Sequence, residues 1–140
     1  MRFWDSSALV PLVLDEPRSD EMRRLVRQDA DVIVWMLSSV EVLSALARLE
    51  RSSDGLEDLL GGARRDALER IRQCHSVTLV DAVRQRAERL VSVHALTAAE
   101  ALQLAAALVA AREQPDALEF VTLDKVLGRA ARLEGFRVVP

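Results

Sequence analysis

The sequence predicts an α/β protein, an α/β/α sandwich around a central parallel sheet of about five short strands. Three observations predict it. Short β-branched or apolar runs alternate with longer helical patterns along the whole chain. Helices separate most of the strands, which implies parallel pairing through right-handed crossovers. The length, 140 residues, is that of one domain spanning 1–140 and too short for two separate cores.

The elements follow in order. Residues 2–4 read as a strand that ends at Asp5, followed by a helical stretch over 7–14. Pro17 and Ser19 open a helix to about Gln28, with Met22, Leu25 and Val26 at helical spacing. Residues 32–35 are a buried strand, and 38 to about 51 an amphipathic helix facing inward through Val42, Leu43, Leu46 and Leu49. Ser52-Ser53-Asp54-Gly55 and Gly61-Gly62 punctuate the next stretch, and a helix carries on to about Gln73. A third strand is expected over 76–80, helices over 81–93 and 97–112, a strand over 119–121, a helix over 125–133 and a last strand over 136–139. Ligands of such folds sit beyond the carboxyl ends of the strands.

Composition narrows the function. Half the residues are hydrophobic and 29% are charged, a globular balance. A net charge of −3 excludes a DNA-coating basic protein. Aromatics are 4% and tyrosine is absent, which argues against a base-stacking RNA platform. Cys74 is the only cysteine, so no intrachain disulfide forms and the cytoplasm is the expected location. Asp5 cuts the first apolar run short, and the apolar run 104–111 is far below a membrane span. The basic residues are 18 arginines and one lysine, Lys125, a bias that reads as genome composition. Arg23, Arg24 and Arg27, then Arg64 and Arg65, then Arg84 and Arg86, form clusters that read first as solvated helix faces. His75, His94 and Cys74 read as surface or packing residues, and Trp35-Met36-Leu37 as core.

Four carboxylates stand where ligands are expected. Asp5 ends the first strand, Asp124 follows the fourth, and Glu41 and Glu100 lie in the first turns of two helices. Acids converging on one cleft cannot all stay ionised unless a cation neutralises them. Hard divalent ions such as Mg²⁺ take oxygen ligands of this kind. A structural reading competes at each position. Ser38-x-x-Glu41 and Thr97-x-x-Glu100 both fit the capping box, and Asp5 and Asp124 suit helix N-caps. Spacing alone does not decide between the two. Receiver and haloacid-dehalogenase sites are excluded, because Ser6-Ser7 follows Asp5 where each would need a further acid.

Four motifs and a closing strand carry a resemblance. They are Trp4-Asp5-Ser6-Ser7-Ala8-Leu9-Val10, Ser38-Ser39-Val40-Glu41-Val42-Leu43-Ser44-Ala45-Leu46-Ala47-Arg48, Ala99-Glu100-Ala101-Leu102-Gln103-Leu104-Ala105-Ala106-Ala107 and Phe120-Val121-Thr122-Leu123-Asp124, then Gly135-Phe136-Arg137-Val138-Val139-Pro140. In this order, over essentially the whole chain, they resemble the small PIN-domain proteins, the VapC-type toxins of bacterial and archaeal toxin–antitoxin modules. The resemblance implies a PIN-like sandwich and Mg²⁺- or Mn²⁺-dependent endoribonuclease activity, with an ion-activated water cleaving the phosphodiester. It also implies a cognate antitoxin that covers the acidic cleft, and a homodimer. Asp5, Glu41 and Asp124 match the family's acidic residues, and Glu100 falls where the family usually has aspartate. Glutamate there favours a contact with the metal through water. Thr122 matches a hydroxyl that can bond a metal water or a phosphate oxygen, and Ser6 a small polar position beside the first acid. The alternatives are a PIN fold kept for binding, and a nuclease acting in RNA processing or on DNA.

Overall fold

The computed structural model describes residues 1–140. In chain order the elements are β1 (Arg2–Trp4), α1 (Ser6–Leu9), a 3-10 turn (Val10–Leu12), α2 (Ser19–Gln28), β2 (Val32–Trp35), α3 (Ser38–Ser52) and α4 (Glu57–Arg72). Then come β3 (His75–Val77), α5 (Val80–Val93), α6 (Ala98–Ala110), a second 3-10 turn (Pro115–Ala117), β4 (Glu119–Val121), α7 (Lys125–Leu133) and β5 (Arg137–Val139). The strands form one sheet in the order β3-β2-β1-β4-β5, every pair parallel. This is the expected five-stranded α/β sandwich.

Period-2 alternation sorts the strand residues onto two faces. Phe3, Ile33, Trp35, Val77 and Phe120 pack toward α5, α6 and α7, where Phe3 and Phe120 stack with ring centroids 5.4 Å apart. Trp4, Val32, Val34 and Val121 point the other way, onto residues of α1 to α4. Phe3 stands opposite both Ile33 and Phe120, so the register keeps each face apolar.

The departures from expectation are local. The stretch after β1 is four residues of α-helix continued by a 3-10 turn, with Pro11 inside that turn. The third strand stops at Val77, because Val80 already begins α5. Gly61-Gly62 does not interrupt α4. It sits inside the helix, whose Leu60, Ala63 and Ala67 are buried and outweigh the glycines' poor propensity. Trp35 is core, but Met36 and Leu37 are 40% and 42% exposed, so only the first of that trio packs as expected. Gly135, at φ +99°, turns the chain from α7 toward β5.

What matters for function is the sheet order. From β1 the chain runs outward to β2 and β3, then returns to β4 on the opposite side, so the order reverses between β1 and β4. In open parallel sheets a crevice forms at the carboxyl ends there. Asp5 and Asp124 follow those two strands. The Asp5 amide donates to the Val121 carbonyl at 3.0 Å, which ties the two strand exits together.

Candidate active site

Asp5 caps α1 from β-region backbone, and its Oδ2 accepts from the Ser7 amide at 3.2 Å. The same oxygen accepts from the Ser7 hydroxyl and from Thr122 Oγ1, the latter at 3.0 Å. Its Oδ1 has only a 3.4 Å contact with Ser6 Oγ. The residue is 3% exposed. Burial pushes its carboxyl above the ordinary range against the pull of the Ser7 and Thr122 hydrogen bonds, and the charge of Asp124 pushes the same way.

Glu41 owes its position to a cap that does not form. The helix α3 starts one residue before the expected box, with Leu37 as its N-cap, so Glu41 is one place too far along to reach back. It turns aside instead. Ser6 Oγ donates to its Oε2 at 2.7 Å and Gln103 Nε2 to its Oε1 at 3.0 Å. Burial, with the nearby charge of Asp5 adding to it, raises this carboxyl too.

Asp124 caps α7 with a single oxygen. Its Oδ1 accepts from the amides of Val126 and Leu127 at 2.8 and 2.9 Å. Glu100 completes a true capping box, accepting from the Thr97 amide at 2.8 Å through Oε2 while its own amide donates to Thr97 Oγ1 at 3.3 Å. Capping therefore accounts for one oxygen of each of these acids and leaves the other uncommitted.

All four carboxylates line one cleft of about 620 Å³, with Ser6, Ser7, Gln103 and Arg48 also on its wall. No arginine, lysine or histidine forms an ion pair with any of the four. As they stand, no three acidic, imidazole or thiol groups lie close enough together to enclose an ion. The donor chemistry still fits a hard divalent cation. It is all oxygen, two of its carboxyls are raised by burial without a compensating charge, and three of the acids keep a free oxygen.

The supporting residues divide. Ser6 lies in the cleft and holds Glu41. Thr122 lies behind it. Its hydroxyl donates to Asp5 and accepts from the Asp124 amide at 3.0 Å, joining the two acidic positions in one network. None of the three arginine clusters of the sequence lines the cleft. His94 is a packing residue bonded to Glu134 at 2.7 Å.

Three further residues line or support the candidate site; all lie inside the motifs quoted above, which assign them no role in it. Ser7 Oγ accepts from the Leu123 amide at 3.0 Å while donating to Asp5, so it joins the β1 and β4 exits. Ser38, fully buried, accepts from Gln103 Nε2 at 3.1 Å. Gln103 is 1% exposed and bridges Ser38 and Glu41, while its Oε1 is buried with no partner. A signal for it existed. It is the one uncharged polar side chain inside an otherwise apolar helix, where an idle amide is costly.

No family model matches the chain. Two curated relatives do. Ribonuclease VapC45 of Mycobacterium tuberculosis strain CDC 1551 is 32% identical over 138 residues, covering 99% of this chain and 94% of its own. Ribonuclease VapC49 of strain H37Rv of the same species matches with the same identity and coverage. Among solved structures, the sarcin-ricin loop cleaving toxin VapC20 of M. tuberculosis superposes with a TM-score of 0.65 at 18% identity, over 100% of both chains. PAE2754 of Pyrobaculum aerophilum gives 0.63 at 17%, over 92% of this chain and 83% of its own. FitAcB of Neisseria gonorrhoeae gives 0.63 at 15%, over 100% and 97%. At these identities the structural matches speak to the fold.

Proposed function

The chain belongs to the VapC family of ribonucleases, and we propose that it is a Mg²⁺-dependent endoribonuclease, the toxin of a two-protein module, with Asp5, Glu41, Glu100 and Asp124 as its site. One observation carries this reading. Four carboxylates from four separate elements line a single cleft at the sheet's switch point, and no protein cation pairs with any of them.

Those four residues would hold Mg²⁺, or Mn²⁺ in its place. A divalent ion bound there supplies a water of lowered pKa and stabilises charge developing on the phosphoryl oxygens. The chain's own part is orientation. Ser7 and Thr122 fix one oxygen of Asp5 and leave the other toward the cleft. Ser6 and Gln103 hold the two oxygens of Glu41 from opposite sides. The amides at the start of α7 fix Asp124. Side chains pinned this way do not have to reorganise when charge develops, which is the condition for strong electrostatic stabilisation.

A cognate antitoxin would cover this cleft, its cationic side chains replacing the ion's charge. A homodimer is supported by Met36, Leu37, Leu79 and Val80, large apolar side chains exposed after β2 and β3. No helix is long and apolar enough to cross a membrane. An RNA substrate would place the protein's work in the cytoplasm.

The test is cleavage of mixed RNA by purified protein with Mg²⁺, with EDTA, and with Mg²⁺ restored after EDTA. Cutting that stops with EDTA and returns with Mg²⁺ is the expected result. RNA binding without cutting under all three conditions would reassign the protein as a binding module.

A further inference from the structure

A ribonuclease whose cleft is walled by acids must still seat a polyanion, and a phosphate site beside that cleft rests on the ribonuclease reading. A second cavity of about 200 Å³ adjoins the cleft, and Asp124 lines both. Its charged lining is the opposite of the cleft's: Arg18, Lys125 and Arg132 stand on its wall, and Asp124 is the one acidic side chain there. A water's share of liquid volume is about 30 Å³, so the cavity has room for a phosphate group with part of its hydration shell.

Two of these cations are unpaired, although Arg132 stands in the last turn of α7, where the helix dipole favours a cation. Lys125, the chain's only lysine, makes no ion pair, and Arg132 makes none either. Arg18 is shared with Glu21 at 2.5 Å. Lys125 also opens α7, where the helix dipole disfavours a cation and an acid is the usual choice. Arg132 lies seven residues on, hence on the same face of the helix. Gly128 lies between them, and its missing side chain keeps the cavity open. A Cβ there would already touch Thr122 at 3.4 Å and Val138 at 3.5 Å, and anything longer would enter the space.

We propose that the Arg18–Lys125–Arg132 cavity binds a backbone phosphate of the RNA strand next to the one cleaved, so that the strand crosses Asp124 on its way from the acidic cleft. The contact is to phosphate, not to bases, so it serves every sequence alike. The cleft itself offers a single cation, Arg48, so most of the grip on the strand falls to the second cavity.

The test measures binding rather than cleavage. Fluorescent single-stranded RNA is titrated with Asp5→Asn protein and with the same protein also carrying Lys125→Gln and Arg132→Gln, in EDTA, over a salt series. One lost phosphate contact lowers the slope of log K against log salt by about 0.7 for a single strand. The expected result is that drop, with affinity about tenfold weaker at low salt and equally so for unrelated RNA sequences. Arg24→Gln with Arg65→Gln, which removes two exposed, unpaired cations remote from both cavities, should leave the slope unchanged. An unchanged slope in the Lys125/Arg132 variant, or an equal drop in the control pair, overturns the proposal while leaving the ribonuclease reading intact. An Asp5→Asn parent that binds no RNA, beside a wild type that cuts none, overturns both.

Discussion

A carboxylate as deeply buried as Asp5, with a second acid nearby and no cation to offset it, holds its proton more tightly in the folded protein than in the unfolded chain. The folded state then holds more protons than the unfolded one above the ordinary value of 3.8, and stability falls as pH rises through the raised folded value. Glu41 adds a loss in the same direction above 4.5. Asp5→Asn should therefore raise the melting temperature at pH 7 in EDTA, flatten the decline between acid and neutral pH, and abolish RNA cleavage. Melting curves across pH, beside a cleavage assay, check all three. Glu100 separates capping from metal binding. Glutamine also serves the capping box, so Glu100→Gln should leave stability within about 0.5 kcal/mol of wild type while lowering metal-dependent cleavage. Glu100→Asp should keep or modestly raise cleavage. Full activity in Glu100→Gln would remove this residue from the site. Gln103→Leu deletes the donor to Glu41, a hydrogen bond to a charged group worth about 1.5–3 kcal/mol. Steady-state kinetics should show kcat down about tenfold or more, KM little changed, and partial rescue by Gln103→His, which restores a donor.

At the scale of elements, the sequence announced most of what formed, and the misses have physical causes. Strand positions were legible because β1, β2 and β4 are short apolar runs bounded by polar residues. Hydrogen bonding past the strand ends is not written in a hydropathy pattern, so β3 is shorter than its apolar run suggests; Thr78 and Leu79 already belong to the turn into α5. The four acids were legible as candidates because each follows a strand or opens a helix. Their division of labour was not. Whether Glu41 closes a box or turns to Ser6 depends on a one-residue shift in where α3 begins, which Ser38 and Leu37 do not reveal by themselves. Ser7 was hidden because its bond to the Leu123 amide spans 116 positions. Gly61-Gly62 misled because paired glycines normally punctuate, whereas in α4 the buried face holds the helix together. The helix can be improved at that point. A Cβ on Gly62 meets nothing within 4 Å and the backbone is helical there, so Gly62→Ala should stabilise the protein by about 0.5–1 kcal/mol, read by chemical denaturation.

For the whole molecule, charge placement matters more than the net value of −3. The cleft gathers acids that no protein cation neutralises, so under the proposed function a metal ion and a cationic partner would compete for it. An antitoxin that inserts an arginine there should lose affinity as Mg²⁺ is raised, which calorimetric titration at fixed ionic strength would show; affinity indifferent to Mg²⁺ would place the antitoxin elsewhere. The sheet order has a consequence of another kind. The proposed site draws on residues 5, 41, 100 and 124, and β4, the strand that places the last of them, pairs with β1 although β2, β3 and six helices separate the two in the chain. A growing polypeptide that has made β1, β2 and β3 still has an open edge where β4 belongs, no Asp124, and no Val121 carbonyl to receive the Asp5 amide. The proposed site is therefore assembled only once β4 has been made and has paired with β1. The fold acts as a safety catch, because a chain in which β4 has not yet docked on β1 has no complete cleft.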